Sequence, residues 1–248
     1  APSRGLGDVY KRQVLNQSSY SSVEELKAAG LNMQMETVVE EIDTKNKRLF
    51  YRRVNSKKTK LALYDKLIFA TGSYPAMTSV PFDKKSKLYF LKSMDDAIKT
   101  DEFLKTAKNI AVIGGGMTGV EVARIAQERG IQTTLIHRNK NLLNDYLDEP
   151  ASHLLESWMN AEGMRLLLNT EVTEIGSDEE NTIIQTANGQ KIPVDGVIFT
   201  IGFRPNSYLL NQQVELGDSG AVIVDEYMQT SCPAVSYTHL TLPTKRIV

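Results

Sequence analysis

The chain has 248 residues, a formal net charge of −1 and a hydrophobic fraction of 41%, which are properties of a globular protein of one or two domains with a proper core. Acidic and basic residues are interspersed, so the sequence indicates neither nucleic acid nor a membrane as a partner. No apolar run approaches the roughly 18 residues of a membrane-spanning helix, and no signal peptide is visible. The single cysteine, Cys232, excludes a disulfide framework and fits a reducing, cytoplasmic location.

The two ends of the chain carry peptides that one inverted DNA repeat can encode. Residues 8–13 back-translate to a string whose reverse complement, read in a shifted frame, encodes residues 235–239. Such a repeat resembles a sequencing adapter translated by mistake, with coincidence as the alternative. We therefore expect authentic sequence at about residues 14–233 and leave both tails out of the fold prediction.

The first hundred residues predict a helix, a β-meander and a second helix, in that order. A capping box opens each helix, one formed by Ser22 and Glu25 and one by Ser93 and Asp96. Between the helices, short apolar runs separated by polar or basic turns predict four strands, the first three antiparallel: residues 31–42, 48–54, 60–64 and 66–70.

The second half of the chain alternates strands and helices around a cluster of glycines. A β-branched strand at residues 109–113 precedes the cluster, and a helix at 120–129, closed by Gly130, leads to a second strand at 132–136. The later segments are predicted as follows: a helix near 149–161, strands near 164–168 and 171–175, a hairpin at Asn188-Gly189, and a buried strand at 197–201.

The glycine cluster is spaced Gly114-x-Gly116-x-x-Gly119, and it predicts a dinucleotide-binding loop. Gly114 permits a tight turn after the strand, Gly116 lets the backbone approach a pyrophosphate, and Gly119 lets the helix press on the sheet. The helix N-terminus then faces the phosphates. The other loop residues assigned to the cofactor site are Gly115, Met117 and Thr118.

Three segments in this order and spacing resemble the FAD-dependent pyridine nucleotide-disulfide oxidoreductases: residues 64–72, 114–121 and 195–206. Within that family, residues 134–138 and 225–231 are most similar to the branch of CoA-disulfide reductases, NADH oxidases and NADH peroxidases. The resemblance implies an α/β fold in which a Rossmann-type NAD(P)H domain is nested in an FAD domain with an antiparallel β-meander. It also implies hydride transfer from NADPH or NADH to FAD, and then to a disulfide, peroxide or oxygen acceptor.

The nesting implied by the resemblance predicts the domain boundaries. We expect an adapter-like tail at residues 1–13, part of the FAD domain at 14–107, the NAD(P)H domain at 108–229, and at 230–248 the returning FAD segment followed by a second tail. The family's first glycine-rich loop and redox-active cysteine would lie upstream of Val14. The chain would thus be a middle fragment without a catalytic residue of its own, from a parent protein that dimerises through a C-terminal domain.

Met117, just before the predicted helix, and Glu121, on its first turn, have two interpretations each. Met117 stands where related enzymes often carry a tyrosine that gates the nicotinamide site, but a methionine there could equally be a packing residue. Glu121 resembles a family glutamate near the nicotinamide, but a carboxylate on the first turns of a helix is also favoured by the helix dipole.

The end of the second strand of the nucleotide unit predicts the choice of coenzyme. NAD-binding loops usually place a carboxylate there for the ribose 2′-hydroxyl, whereas this chain has His137-Arg138. A guanidinium can pair with the 2′-phosphate of NADPH in bidentate fashion. We therefore predict a preference for, or a tolerance of, NADPH, with a solvated Arg138 and a packed His137 as the alternative.

On the flavin side, the resemblance points to short motifs at the domain crossings. Ala70-Thr71-Gly72 resembles the outgoing junction, where small residues let the chain pass close to FAD, and Gly202 resembles the return crossing. Val39 matches a position whose backbone faces the FAD adenine in relatives. Without the resemblance, the junction motifs would be read as a strand end and a turn.

Three functions compete at this stage: a fragment of a flavin-dependent NAD(P)H oxidoreductase, a flavin-free Rossmann dehydrogenase, and a non-catalytic nucleotide-binding remnant. The second is disfavoured because no tyrosine is followed four residues later by the lysine of a short-chain dehydrogenase. The third remains a rival for this chain, because it would lack the FAD loop and the thiol.

Overall fold

The computed structural model describes residues 22–76 and 79–238. The described residues divide into two compact units. The inserted unit comprises residues 75–202, and the flanking unit is formed by the segments on either side of it, residues 22–74 and 203–238.

The first segment of the flanking unit forms the predicted helix and β-meander. Its elements are helix α1 (Val23–Ala28) and strands β1 (Thr37–Asp43), β2 (Arg48–Arg53), β3 (Lys60–Leu63), β4 (Leu67–Phe69) and β5 (Ser73–Pro75). The capping box of α1 is present, with Ser22 and Glu25 each accepting the other's backbone N–H. Strands β1, β2 and β3 pair antiparallel in that order. β1 begins later than predicted because Glu36, with a φ of +52°, cannot continue an extended strand.

The inserted unit is an α/β fold with a parallel sheet, which confirms the predicted class. Its elements are β6 (Leu88–Phe90), α2 (Met94–Leu104), β7 (Asn109–Ile113), α3 (Met117–Glu128), β8 (Gln132–Ile136), α4 (Glu149–Ala161), β9 (Arg165–Leu167), β10 (Val172–Ser177), β11 (Thr182–Thr186), β12 (Lys191–Val194) and β13 (Gly196–Phe199). Five strands form the parallel sheet in the order β6-β13-β7-β8-β9, and β10, β11 and β12 form an antiparallel sheet.

The core of the inserted unit explains why its central strands are continuously apolar. Ile110, Val112, Leu135 and Ile198 are completely buried, as is typical of parallel strands covered on both faces. Among the described residues, no helix combines the length and the apolarity that crossing a bilayer would require.

The chain returns to the flanking unit through β14 (Phe203–Pro205), a 3-10 helix (Tyr208–Leu210) and β15 (Val235–Tyr237). β14 pairs with β5, and β15 pairs in parallel with β4. Both segments of this unit contribute to one apolar core, which includes Ile42, Phe69, Leu210, Val235 and Tyr237.

The unit boundaries differ from those expected at 107/108 and 229/230. β6 pairs with β13 in the parallel sheet, so β6 and α2 belong to the inserted unit. In the other direction, Leu210 and Val222 pack in the core of the flanking unit, so residues 203–229 belong there. In both cases the residues are assigned to a unit by a strand or core that is distant in sequence, and such a contact cannot be predicted from the local sequence pattern.

Residues 235–237, which the fold prediction left out with the C-terminal tail, form strand β15 in the structure. Val235 and Tyr237 alternate with Ser236, and both are at most 2% exposed. This alternation is that of a strand with one buried face. The tail predicted at residues 1–13 lies outside the described residues.

Candidate functional site

The glycine loop joins β7 to α3 at the carboxyl edge of the parallel sheet. β7 lies between β13 and β8, and the loop begins directly after its last residue, Ile113. The Gly114 N–H donates to the Ile136 carbonyl at the end of β8, at 2.9 Å. The loop therefore occupies the edge at which open α/β sheets bind nucleotides.

At two of the three motif positions, any side chain would clash with other atoms of the protein. Gly114 has a φ of +118°, and a Cβ there would lie 2.5 Å from the Thr200 carbonyl oxygen. A Cβ at Gly119 would lie 1.8 Å from the Gly114 carbonyl oxygen. α3 can thus pack this closely on the loop only without a side chain at position 119.

Gly116 is different, because a Cβ at this position would meet nothing within 4 Å. Gly116 is the N-cap of α3, and no side chain among the described residues caps the helix. The next two residues, Met117 and Thr118, are exposed, Met117 by 59%. Open space beside uncapped helix amides suits an anionic group, and the exposure of Met117 does not support its interpretation as a packing residue.

The remaining loop glycine, Gly115, contacts the first residue after β8. Its N–H donates to His137 Nδ1 at 3.0 Å, and His137 Nε2 lies 3.2 Å from Asn144 Oδ1. A Cβ at Gly115 would lie 2.6 Å from both His137 Cγ and Leu142 Cδ2. The ring of His137 is therefore part of the loop structure.

Arg138 is exposed and forms no ion pair within the described part of the chain. It lines a cavity of about 450 Å³. The other lining residues follow β8, β9 and β11: Asn139, Asn169, Thr170, Glu171, Ala187 and Asn188. Arg138 thus presents a guanidinium at the carboxyl edge of the sheet, in a cavity that also contains one carboxylate, Glu171.

Glu121 lies on the surface of α3 and is held by an arginine of the same helix. Its carboxylate pairs with Arg124, with an Oε1–Nη2 distance of 2.9 Å, and Arg124 also pairs with Glu128. The hydrogen bond that Arg124 donates to Glu121, followed by the charges of both glutamates, raises the pKa of Arg124. The two interpretations of Glu121 both remain compatible with this geometry.

Two residues of the predicted outgoing junction, Thr71 and Gly72, form hydrogen bonds with Asn206, which follows the return crossing. The Thr71 hydroxyl donates to the Asn206 carbonyl at 2.9 Å, and the Asn206 side chain donates back to the Thr71 carbonyl at 3.1 Å. Gly72, with a φ of +66°, accepts from the Asn206 N–H. Ala70 is exposed, and Gly202, with a φ of +98°, has open space around its α-carbon.

Val39 is a half-buried residue of β1 that packs against the core of the flanking unit. β1 is an edge strand of its sheet, and its pairing with β2 is irregular between Val39 and Glu41. Among the described residues, β1 therefore pairs with a strand on one side only. The other side of its backbone is compatible with a ligand.

One residue that supports the glycine loop was not in the predicted site. The Thr200 hydroxyl lies 3.1 Å from the Ile113 carbonyl and 3.0 Å from the Gly114 carbonyl, and it can donate to either. Thr200 directly follows β13, the strand that pairs with β7. The available signal was its position near the carboxyl end of a predicted buried strand, because the ends of neighbouring parallel strands meet at one edge.

Comparisons with known proteins agree with this geometry. The family model described as pyridine nucleotide-disulphide oxidoreductase matches residues 4–237. The NADH oxidase of Enterococcus faecalis is 35% identical over 217 residues, which are 87% of this chain and 49% of that protein. Among solved structures, the water-forming NADH oxidase from Lactobacillus brevis bound to NADH has a TM-score of 0.84 at 31% identity, covering 88% of this chain and 48% of that one.

A third relative is an engineered water-forming NADPH oxidase bound to NADPH, with the same TM-score of 0.84, identity of 31% and coverage of 88% and 48%. The chain spans about half the length of the curated relatives it matches. The family model, in contrast, matches nearly all of the chain, including the glycine loop and both junction motifs. The chain therefore belongs to the pyridine nucleotide-disulphide oxidoreductase family.

Proposed function

We propose that this chain is part of a flavin-dependent oxidoreductase that takes hydride from NADPH or NADH and passes it through FAD to a disulfide, peroxide or oxygen acceptor. The observation that carries the proposal is the contrast at the glycine loop. A side chain at Gly114 or Gly119 would clash with protein atoms, whereas Gly116 faces open space at the start of α3. A cofactor pyrophosphate would fill such a space.

The residues of the loop would bind the coenzyme mainly through the backbone. The amides of the first turn of α3 would donate to the pyrophosphate, and the helix dipole would favour its charge. Met117, exposed beside this turn, would border the nicotinamide site, with Glu121 one turn further along. The transferred hydride would come from the bound nicotinamide, while the protein holds and orients the two cofactors.

The flanking unit would hold FAD through residues at strand ends and edges. Val39 on the edge strand β1 and the Ala70-Thr71-Gly72 turn would approach the flavin cofactor through their backbones. Gly202 is the last residue of the inserted unit, and the resemblance to the family implies its role at the return crossing. Asn206 supports this assignment, because its bonds to Thr71 and Gly72 fix the turn without occupying the space beside it.

We propose NADPH as the favoured coenzyme. Arg138 is exposed, unpaired in the described residues and placed after β8, where a guanidinium could meet a 2′-phosphate. The engineered relative bound to NADPH supports this choice, because its substitutions remove an aspartate and introduce two arginines.

Two further proposals concern the whole protein. The single cysteine and the absence of a membrane-spanning helix in the described residues are compatible with work in the cytoplasm. The resemblance to the family favours a homodimer and a small-molecule or thiol substrate.

The test compares Gly116→Ala with Gly119→Ala in the full chain. Gly116 has ordinary backbone angles and free space, so its alanine variant should keep its stability within about 1 kcal/mol but bind NADPH about tenfold or more weakly. Gly119→Ala should lose about 1–3 kcal/mol of stability, because α3 must move. The measurements are calorimetric Kd values and denaturant unfolding.

A Gly116→Ala variant that binds NADPH as tightly as the original chain would refute the loop assignment. The flavin part is tested separately, by adding FAD to the purified chain and looking for a bound flavin absorbance band after gel filtration. Bound nicotinamide coenzyme without bound flavin would favour a nucleotide-binding role for this chain alone.

A further inference from the structure

His137 contacts the glycine loop through its ring. The Gly115 N–H donates to Nδ1 at 3.0 Å, although the usual role of a residue at the end of this strand is to bind the coenzyme ribose. We propose that His137 is a positioning residue, whose neutral ring holds the glycine loop in the shape that accepts a dinucleotide pyrophosphate. This inference rests on the proposed function, because it takes NADPH or NADH as the ligand of the loop.

The hydrogen-bond partners determine which nitrogen of the ring carries the proton. A backbone N–H can only donate, so Nδ1 must present its lone pair to Gly115. Asn144 Nδ2 donates to the carboxylate of Asp145 at 2.9 Å, and Asn139 Nδ2 donates to Asn144 Oδ1 at 3.0 Å. Asn144 Oδ1 is therefore an acceptor towards His137 Nε2, and the ring is a neutral imidazole with its hydrogen on Nε2.

The packing around Gly115 shows why this loop contains a third consecutive glycine. A Cβ there would lie 2.6 Å from His137 Cγ and from Leu142 Cδ2. The spacing of a dinucleotide motif does not itself require glycine at this position. Gly115 is small enough for the ring to reach its N–H, so Gly115 and His137 act as a pair.

The same network limits what His137 can do for the coenzyme directly. Nδ1 accepts from Gly115, and Nε2 donates to Asn144. The ring therefore has no free acceptor for the ribose 2′-hydroxyl that a carboxylate at this position would bind. His137 acts on the coenzyme through the loop, and the contact with the ribose side is left to Arg138.

Protonation of His137 would break the contact with the loop. A hydrogen on Nδ1 would place two donors face to face, and the Gly115 N–H would lose its acceptor. The segments that contact His137 carry these charged residues: Arg138 beside it, Lys140 and Asp145 in the segment of Asn144, and Glu171 after β9; residues 114–116 carry none. Any change that removes the acceptor at this position should therefore weaken NADPH binding.

The experiment measures the Kd for NADPH at one neutral pH for the full chain, for His137→Asn and for His137→Leu. Asparagine offers an acceptor oxygen close to the position of Nδ1, whereas leucine offers no acceptor. We expect His137→Leu to bind NADPH about tenfold more weakly than the original chain. His137→Asn should restore most of the lost affinity, because it restores the acceptor for the Gly115 N–H.

His153→Asn is the matched control, because His153 is an exposed histidine on α4 and does not contact the loop. Its Kd for NADPH should equal that of the original chain. If His137→Leu binds NADPH as tightly as the original chain, or if His137→Asn binds it as weakly as His137→Leu, the inference is overturned. If the original chain does not bind NADPH, the proposed function is overturned, and the inference with it.

Discussion

Two neighbouring residues directly after β8 have different surroundings. His137 is half-buried, and both of its ring nitrogens are engaged by protein groups. Arg138 is exposed and lines a cavity. The sequence predicts both residues as determinants of the coenzyme, but it could not place the histidine against the loop, because Gly115 and Asn144 come together only in the fold.

At the residue scale, Arg138→Asp should change the preference for the coenzyme. Replacing the guanidinium by a carboxylate removes a charge-assisted pair with the 2′-phosphate and adds repulsion, so the Kd for NADPH should rise about tenfold or more. The Kd for NADH should stay constant or fall. The measurement is the ratio of the two Kd values by isothermal titration calorimetry.

Arg165→Asp provides the matched control for this change. Arg165 is also exposed, but it is the first residue of β9 and pairs with Thr134 in the middle of β8, rather than following the carboxyl end of a strand. It should leave the NADPH-to-NADH ratio unchanged. An unchanged ratio in Arg138→Asp as well would contradict the assignment of Arg138.

At the scale of elements, local patterns predicted the segments whose determinants are local. The capping boxes at Ser22 and Ser93 are present, and the strands at 109–113 and 132–136 have the predicted bounds. α3 begins at Met117 rather than at residue 120, because its N-cap, Gly116, leads from the turn directly into the helix.

Short strands were missed where the partner is distant along the chain. β6, β14 and β15 have three residues each, which is too few for a periodic pattern to stand out. Each is defined by pairing with a strand from another part of the sequence. The same limit applies to the candidate site: the loop glycines are predicted from their spacing, whereas Thr200 and Asn144 depend on tertiary contacts.

The capping box of α2 should make the stability of this helix dependent on pH. Hydrogen bonds from the backbone N–H groups, that of Ser93 first, lower the pKa of Asp96. A lowered pKa in the folded state contributes stability above the ordinary value of an aspartate, about pH 4, and this contribution is lost as the pH falls through the folded value. Asp96→Asn should therefore destabilise the chain near neutral pH and much less in acid.

Denaturant unfolding of both proteins between about pH 7 and about pH 3 measures this difference. Asp95→Asn is the control, because Asp95 lies beside Asp96 on the same turn without a resolved role in the cap. A difference between the original chain and Asp96→Asn that stays constant with pH would show that the carboxylate does not act through its charge.

At the scale of the whole molecule, the chain leaves one compact unit, completes another and then returns to the first. The flanking unit needs both of its segments, because Phe69 and Ile42 come from the first, and Leu210 and Val235 from the second. The inserted unit has its own core. Damage to the core of one unit should therefore be separable from damage to the other.

Val235→Asp tests this separation. It would bury an unpaired carboxylate at a position with no exposure, which should cost the flanking unit about 3–5 kcal/mol. Amide hydrogen exchange should accelerate at β4 and β15, while exchange in β7 and β8 and the Kd for NADPH should stay unchanged. Ser236→Asp, on the half-exposed side of the same strand, is the control, and loss of protection in both units would rule out their independence.

The contact between Thr200 and the glycine loop has a consequence during synthesis of the chain. β13 is inserted between β6 and β7 in the sheet, although it is made long after both. A nascent polypeptide that has emerged only as far as β12 has every loop glycine but lacks the strand and the hydroxyl that close one side of the turn. Competence to bind coenzyme would thus arise late in translation, when the last strand of the parallel sheet takes its place.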